Sequence, residues 1–116
     1  MQRKSSIASL DVSVVIPVFN EEDNMISLCG RVLDTMKATG KKYEIIFVDD
    51  GSTDGSLTIL KEAFELYPDV VRIITFNGNY GQYVAILAGF EHVRGEVIVT
   101  LDADLQNLPD GWRPVL

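Results

Sequence analysis

Residues 44–64 read EIIFVDDGSTDGSLTILKEAF. The opening run is apolar and rich in branched side chains, as a strand covered on both faces requires, and it stops abruptly at Asp49 and Asp50. Glycine, serine and aspartate then make a turn, with Asp54 or Ser56 as a natural N-cap. Leu57, Leu60, Ala63, Phe64 and Tyr67 recur at steps of three and four, the period of a helix with one apolar face. Strand, polar turn and helix follow one another with no linker, which is the unit of a parallel sheet.

The same unit recurs on either side. Apolar runs at 12–18, 70–76 and 96–101 predict three more strands. Met25, Leu28, Cys29, Val32, Leu33 and Met36 mark a helix after the first strand. Residues 82–92, apolar nearly all round, mark another after the third, expected to be the most buried helix. Alternation of this kind predicts an α/β fold, a Rossmann-like parallel sheet with helices on both faces and right-handed crossovers. Residues 1–10 form a basic amino-terminal segment expected to be flexible, and residues 11–116 form the domain. The chain ends soon after the fourth strand, so the expectation is the front part of something longer.

Composition narrows the function. With 116 residues and 47% hydrophobic content the chain suits one globular domain. A formal charge of -7 and the lack of a basic stripe argue against nucleic-acid binding. No apolar run is long enough to span a membrane, and no signal-peptide pattern follows the basic start. The single cysteine, Cys29, lies in an apolar stripe and reads as core, in keeping with a cytoplasmic setting. A phosphate ligand would be repelled by this charge unless a divalent metal or backbone donors offset it.

Every strand is followed by a polar cluster: PVFNEED, DDGSTDGS, NGNYGQ and DADLQN. In an open parallel sheet these share one edge, and ligands bind there, where the strand order reverses. For the order 3-2-1-4 the reversal lies between the first and fourth strands. Asp102, Asp104 and Gln106 alternate along an extended segment, so three oxygen donors reach one face and suit Mg2+ or Mn2+. Adjacent Asp49 and Asp50 point to opposite faces; one can reach the crevice and accept hydrogen bonds from a ribose or base while the other braces the loop. Asn79, Gly81 and Gln82 read equally as a simple helix cap and as a helix amino end facing phosphate. His92 reads as a helix C-terminal contact or a surface residue, and Trp112 as an anchor or the start of another core element.

Taken together, VSVVIPVFNEE, IIFVDDGSTDGS, NYGQYVAILAGF and VTLDADLQNLPD resemble the family 2 glycosyltransferases of GT-A fold. The likeness runs most strongly to the polyprenyl-phosphate glycosyltransferases, of the dolichyl-phosphate mannose synthase and undecaprenyl-phosphate aminoarabinose types. It covers nearly all of residues 11–110. It implies that this chain is the amino-terminal, nucleotide-binding part only, acting at the cytoplasmic face of a membrane. It implies that Pro17, Phe19 and Glu21 line a nucleotide pocket, with Phe19 beside the base, and that Val48 and Asp50 contact base and ribose. Asp102 and Asp104 become the catalytic carboxylates and, with Gln106, the holders of a divalent metal on the donor diphosphate. The implied reaction is inverting transfer from a UDP-sugar or GDP-sugar to a polyprenyl phosphate, whose anionic oxygen needs little help from a base.

Members of that family continue well past this length, with an acceptor-binding part and membrane contacts. The chain alone is therefore expected not to turn over, and its exposed sheet edges favour homo-oligomers. A non-catalytic nucleotide-binding fragment and transfer to a saccharide hydroxyl are the alternative functions. A phosphatase with an aspartate nucleophile fits poorly, because such pairs sit on an early strand. A dinucleotide-binding module lacks its glycine fingerprint here.

Overall fold

A computed structural model describes residues 10–103. Four strands, β1 (Leu10–Val18), β2 (Tyr43–Asp49), β3 (Val71–Thr75) and β4 (Gly95–Thr100), alternate with helices α1 (Glu22–Thr39), α2 (Ser56–Leu66) and α3 (Gln82–Phe90). All strand pairs are parallel, in the order β3-β2-β1-β4. The reversal therefore falls between β1 and β4, as the sequence predicts. Registers such as Val14↔Ile45 and Val14↔Val99 align the strands so that their carboxyl ends form one edge.

Period-two alternation divides the sheet into two cores. Val12, Val14, Ile16, Ile45 and Phe47 face α1 and α2, joined by the α1 stripe of Met25, Leu28, Val32 and Met36. Val15, Ile46 and Val48 face the other way and meet Ala85 of α3. Among the described residues β1 and β2 are covered on both faces, whereas β3 and β4 stand at the two ends of the strand order and are half-buried, less covered than their apolar runs suggest.

Helix α3 departs further from expectation. Only Ala85 and Gly89 of it are buried, while Tyr83 is 74% exposed and Val84, Leu87 and Phe90 also face outward. The cause is that, among the described residues, α3 is the helix on its face of the sheet, touching β1 and β2 through its smallest residues. A Cβ at Gly89 would stand 2.5 Å from Val15 Cγ1, so this close seat requires glycine. The bulky residues of α3 then have nowhere to pack among the described residues.

A charge is buried at the amino end of the sheet. Glu44, fully buried on β2, accepts hydrogen bonds from Ser13 Oγ at 2.5 Å, Arg72 Nη1 at 2.7 Å, Arg94 N–H at 2.7 Å and Arg94 Nε at 3.1 Å. Four donors fill the lone-pair sites of a carboxylate, which is what makes its burial tolerable. Burial alone would raise its pKa, but the donors from Ser13, Arg72 and Arg94 outweigh that and lower it. Arg72 also donates to the His92 carbonyl at 2.7 Å, so the cluster joins all four strands at their amino ends. His92 itself donates from Nδ1 to the Ala88 carbonyl at 3.0 Å, at the end of α3.

Two outcomes follow from this packing. Glu44→Gln should cost about 2 kcal/mol at pH 7, less than the roughly 3–5 kcal/mol of a fully buried broken pair, because both guanidinium groups remain partly exposed and rehydrate. Glu44 stabilises the fold above its unfolded pKa of about 4.3, and this is lost as pH falls through its lower folded pKa. Urea midpoints of the two proteins should thus converge as the pH is taken down through the acid range, and a constant gap would contradict the assignment. Burial pushes the Cys29 thiol up to about 11, so it should resist a thiol reagent at pH 8 until urea is added.

Candidate functional site

The loops leaving the carboxyl ends of the strands are tied to one another by side chains. Asn20, after β1, takes a left-handed backbone with φ 53°. Its Oδ1 accepts Thr53 N–H at 2.8 Å and Asp54 N–H at 3.3 Å, and its own N–H donates to Ser52 Oγ at 2.9 Å. Ser56 Oγ accepts Glu21 N–H at 2.8 Å. Asp54 accepts Ser56 N–H at 2.9 Å and Glu22 N–H at 3.3 Å, so its carboxylate serves the first turns of α1 and α2 together. Burial would raise its pKa, but these hydrogen bonds outweigh that and lower it. The formal N-cap of α2 is Gly55; Ser56 is already helical and its hydroxyl is spent on Glu21.

Asp50 makes the second tie. Its carboxylate accepts Tyr80 N–H at 2.7 Å, Gly81 N–H at 2.9 Å and Asn79 Nδ2 at 3.1 Å. The loop after β3 is thereby held against the loop after β2. Asp49, on the opposite face, is 2% exposed and its Oδ1 has no hydrogen-bond partner. Phe76 and Tyr80 stack edge to face at 5.6 Å within the β3–α3 connection.

These ties enclose a cavity of about 290 Å3 at the reversal of strand order. Of the residues predicted from sequence, Pro17, Phe19, Glu21, Asp50 and Asp102 line it. Asn79, Gly81 and Gln82 complete the wall on the side of α3. Val48 does not reach it; its side chain is fully buried between the sheet and α3, beside Gly89. Asp104 and Gln106 lie outside the described residues. Asn20 is the residue that sequence reasoning missed, although asparagine is the side chain that most readily takes a left-handed turn after a strand.

The described lining carries three carboxylates, Glu21, Asp50 and Asp102, and no lysine or arginine. Glu21 accepts Asn24 Nδ2 at 3.1 Å. Phe19 is 43% exposed on the rim, free to meet a planar ring. A polyanion entering this space needs a cation or backbone amides to offset these carboxylates, and among the described residues no cluster of three or more acidic, histidine or cysteine side chains is placed to hold a metal ion.

Comparison with known proteins identifies the family. The family model described as glycosyl transferase family 2 matches residues 13–116. The chain is 50% identical over 99 residues to an undecaprenyl-phosphate 4-deoxy-4-formamido-L-arabinose transferase of Edwardsiella ictaluri, covering 85% of this chain and 30% of that protein. It is 55% identical over 101 residues to the protein of the same name from Shewanella sediminis, with the same coverage. The chain thus spans about 30% of the length of these relatives. Among solved structures, the mannosyltransferase PcManGT of Pyrobaculum calidifontis, in complex with GDP-Man and Mn2+, has a TM-score of 0.68 and 27% identity, over 83% of this chain and 28% of that one. The S. aureus protein TarS shares the fold at a TM-score of 0.70 and 22% identity, over 82% of this chain and 28% of that one.

The Asn20 tie can be tested by itself. Asn20→Ala should cost about 2 kcal/mol, roughly half from the left-handed backbone and half from the lost acceptor, whereas Asn20→Gly should cost only about 1. Urea titration of both variants decides it, and equal losses would mean that the backbone conformation carries no cost.

Proposed function

The chain belongs to glycosyl transferase family 2, and from this premise we propose that it supplies the donor site for transfer of a sugar from a nucleoside diphosphate sugar to a polyprenyl phosphate. The observation that carries the proposal is the cavity at the strand-order reversal, walled by carboxylates and by the start of α3 with no cationic side chain in its described lining. The acceptor class is that of the relatives at 50% and 55% identity, both undecaprenyl-phosphate 4-deoxy-4-formamido-L-arabinose transferases. A nucleoside diphosphate with Mn2+ as ligand is supported by the mannosyltransferase solved with GDP-Man and Mn2+.

In this reading Phe19 stacks on the base from the rim, with Pro17 and Glu21 beside it. Asp50 faces the ribose side, where a charged acceptor meets hydroxyl donors. Asp102, with Asp104 and Gln106, holds a divalent metal, Mg2+ or Mn2+. That ion, when bound, offsets the charge that builds on the departing diphosphate. The new bond forms between the anomeric carbon and a phosphate oxygen of the acceptor as the bond to the diphosphate breaks, inverting that carbon. The acceptor oxygen is already anionic, so the protein's task is to orient donor and acceptor rather than to remove a proton.

Calorimetric titration of UDP and GDP, with and without Mn2+, tests the reading. Binding should require the metal, prefer one base, and be lost in Asp102→Asn and Asp104→Asn. Phe19→Ala should weaken it about tenfold, the loss of one base–aromatic stack. Equal binding with and without metal, unchanged in both aspartate variants, would overturn the assignment.

A further inference from the structure

Helix α3 begins without the usual help. Gly81 stands at its N-cap with no side-chain cap, and its first turn has no acidic residue. By contrast α1 carries Glu22 and Asp23 in its first turn. The positive end of α3 favours a negative partner placed just ahead of its first turn. Asp50 supplies it from the end of β2, with Oδ1 on Tyr80 N–H and Oδ2 on Gly81 N–H and Asn79 Nδ2. Asn79 Nδ2 lies also 3.2 Å from the Asp50 carbonyl, closing the contact from both sides.

The fit of the two loops is tight. Gly51 has φ 76°, and a Cβ there would stand 2.5 Å from the Gly78 carbonyl carbon and 2.6 Å from its oxygen. Asp50 is 3% exposed although it belongs to the cavity wall. A carboxylate offers roughly four lone-pair sites, so three are occupied before any ligand arrives.

We propose that Asp50 is a positioning residue: through Asn79, Tyr80 and Gly81 it fixes the α3 wall of the cavity, and most of its effect on nucleotide binding passes through that wall. The proposal rests on the donor-site reading above, and adds that an asparagine cannot replace Asp50. Either orientation of an amide would turn its NH2 towards a backbone or side-chain N–H of the 79–81 turn.

Hydrogen exchange of assigned backbone amides in the 116-residue chain, without nucleotide, is the first readout. Titration of UDP and GDP with Mn2+ is the second, on wild type, Asp50→Asn and Gly51→Ala. Gly51 does not line the cavity, so Gly51→Ala disturbs the loop contact without removing a ligand contact. In both variants exchange at Tyr80 and Gly81 should accelerate about tenfold or more while the amides of Val14 and Ile16 keep their protection. Nucleotide affinity should fall about tenfold in Asp50→Asn and by a smaller factor in Gly51→Ala. Lost affinity in Asp50→Asn with wild-type exchange at Tyr80 and Gly81 would overturn the proposal and leave Asp50 as a ligand contact. A loosened turn in Gly51→Ala with full affinity would overturn it too. Absence of binding by the wild-type chain would instead remove the donor-site reading, with the exchange comparison still deciding whether Asp50 holds the turn.

Discussion

Burial of β1 and β2 on both faces is the constraint on which the rest of the structure depends. Seven consecutive residues of β1, from Val12 to Val18, are buried, and in β2 burial runs from Glu44 through Asp49. A strand in that position has no solvated face on which to place polar side chains. They are therefore displaced to the strand ends, except where a complete set of partners is built around them. Ser13 and Glu44 are that exception, and the two arginines and backbone amides that surround them show what the exception demands.

The two ends of the sheet solve the problem of charge differently. At the amino end, Glu44 has its acceptor sites filled by donors from the chain itself. The cluster is a structural fastening. At the carboxyl end, Asn20 and Asp54 are also spent on loop amides, and Asp50 mostly so. These residues shape the cavity rather than fill it. Loops tied in this way hold the walls of the gap in place before any ligand arrives, so the walls need little rearrangement on binding.

Much of this was legible in the residues. Strand and helix periods gave the element order, and the polar clusters after each strand placed the site at the edge where β1 and β4 meet. What remained hidden was tertiary. Glu44 looks like an ordinary strand-start residue until parallel pairing brings Arg72 and Arg94 to the same end of the sheet. The apolar character of 82–92 suggested deep burial, but periodicity says only that a helix is apolar and not how many layers cover it. Val48 continues the same apolar strand as its neighbours, and alternation puts it under α3 rather than in the cavity. For Asp49 and Asp50 the opposite faces were readable; that Asp50 both lines the crevice and braces the loop was not, because the bracing partners come from thirty residues further on.

The shallow seat of α3 also explains where the cavity opens. A helix that packs through Ala85 and Gly89 settles close over β1 and β2. Among the described residues it leaves the same face of β4 uncovered, where Ile98 is 42% exposed and Thr100 is exposed as well. Asp102 continues that alternation beyond the strand end and so emerges beside the start of α3 rather than beneath it. A bulkier residue at position 89 would lift the helix from β1 and draw Gly81 and Gln82 away from Asp102. The small side chains that make α3 a poorly buried helix are thus the ones that set the width of the cavity.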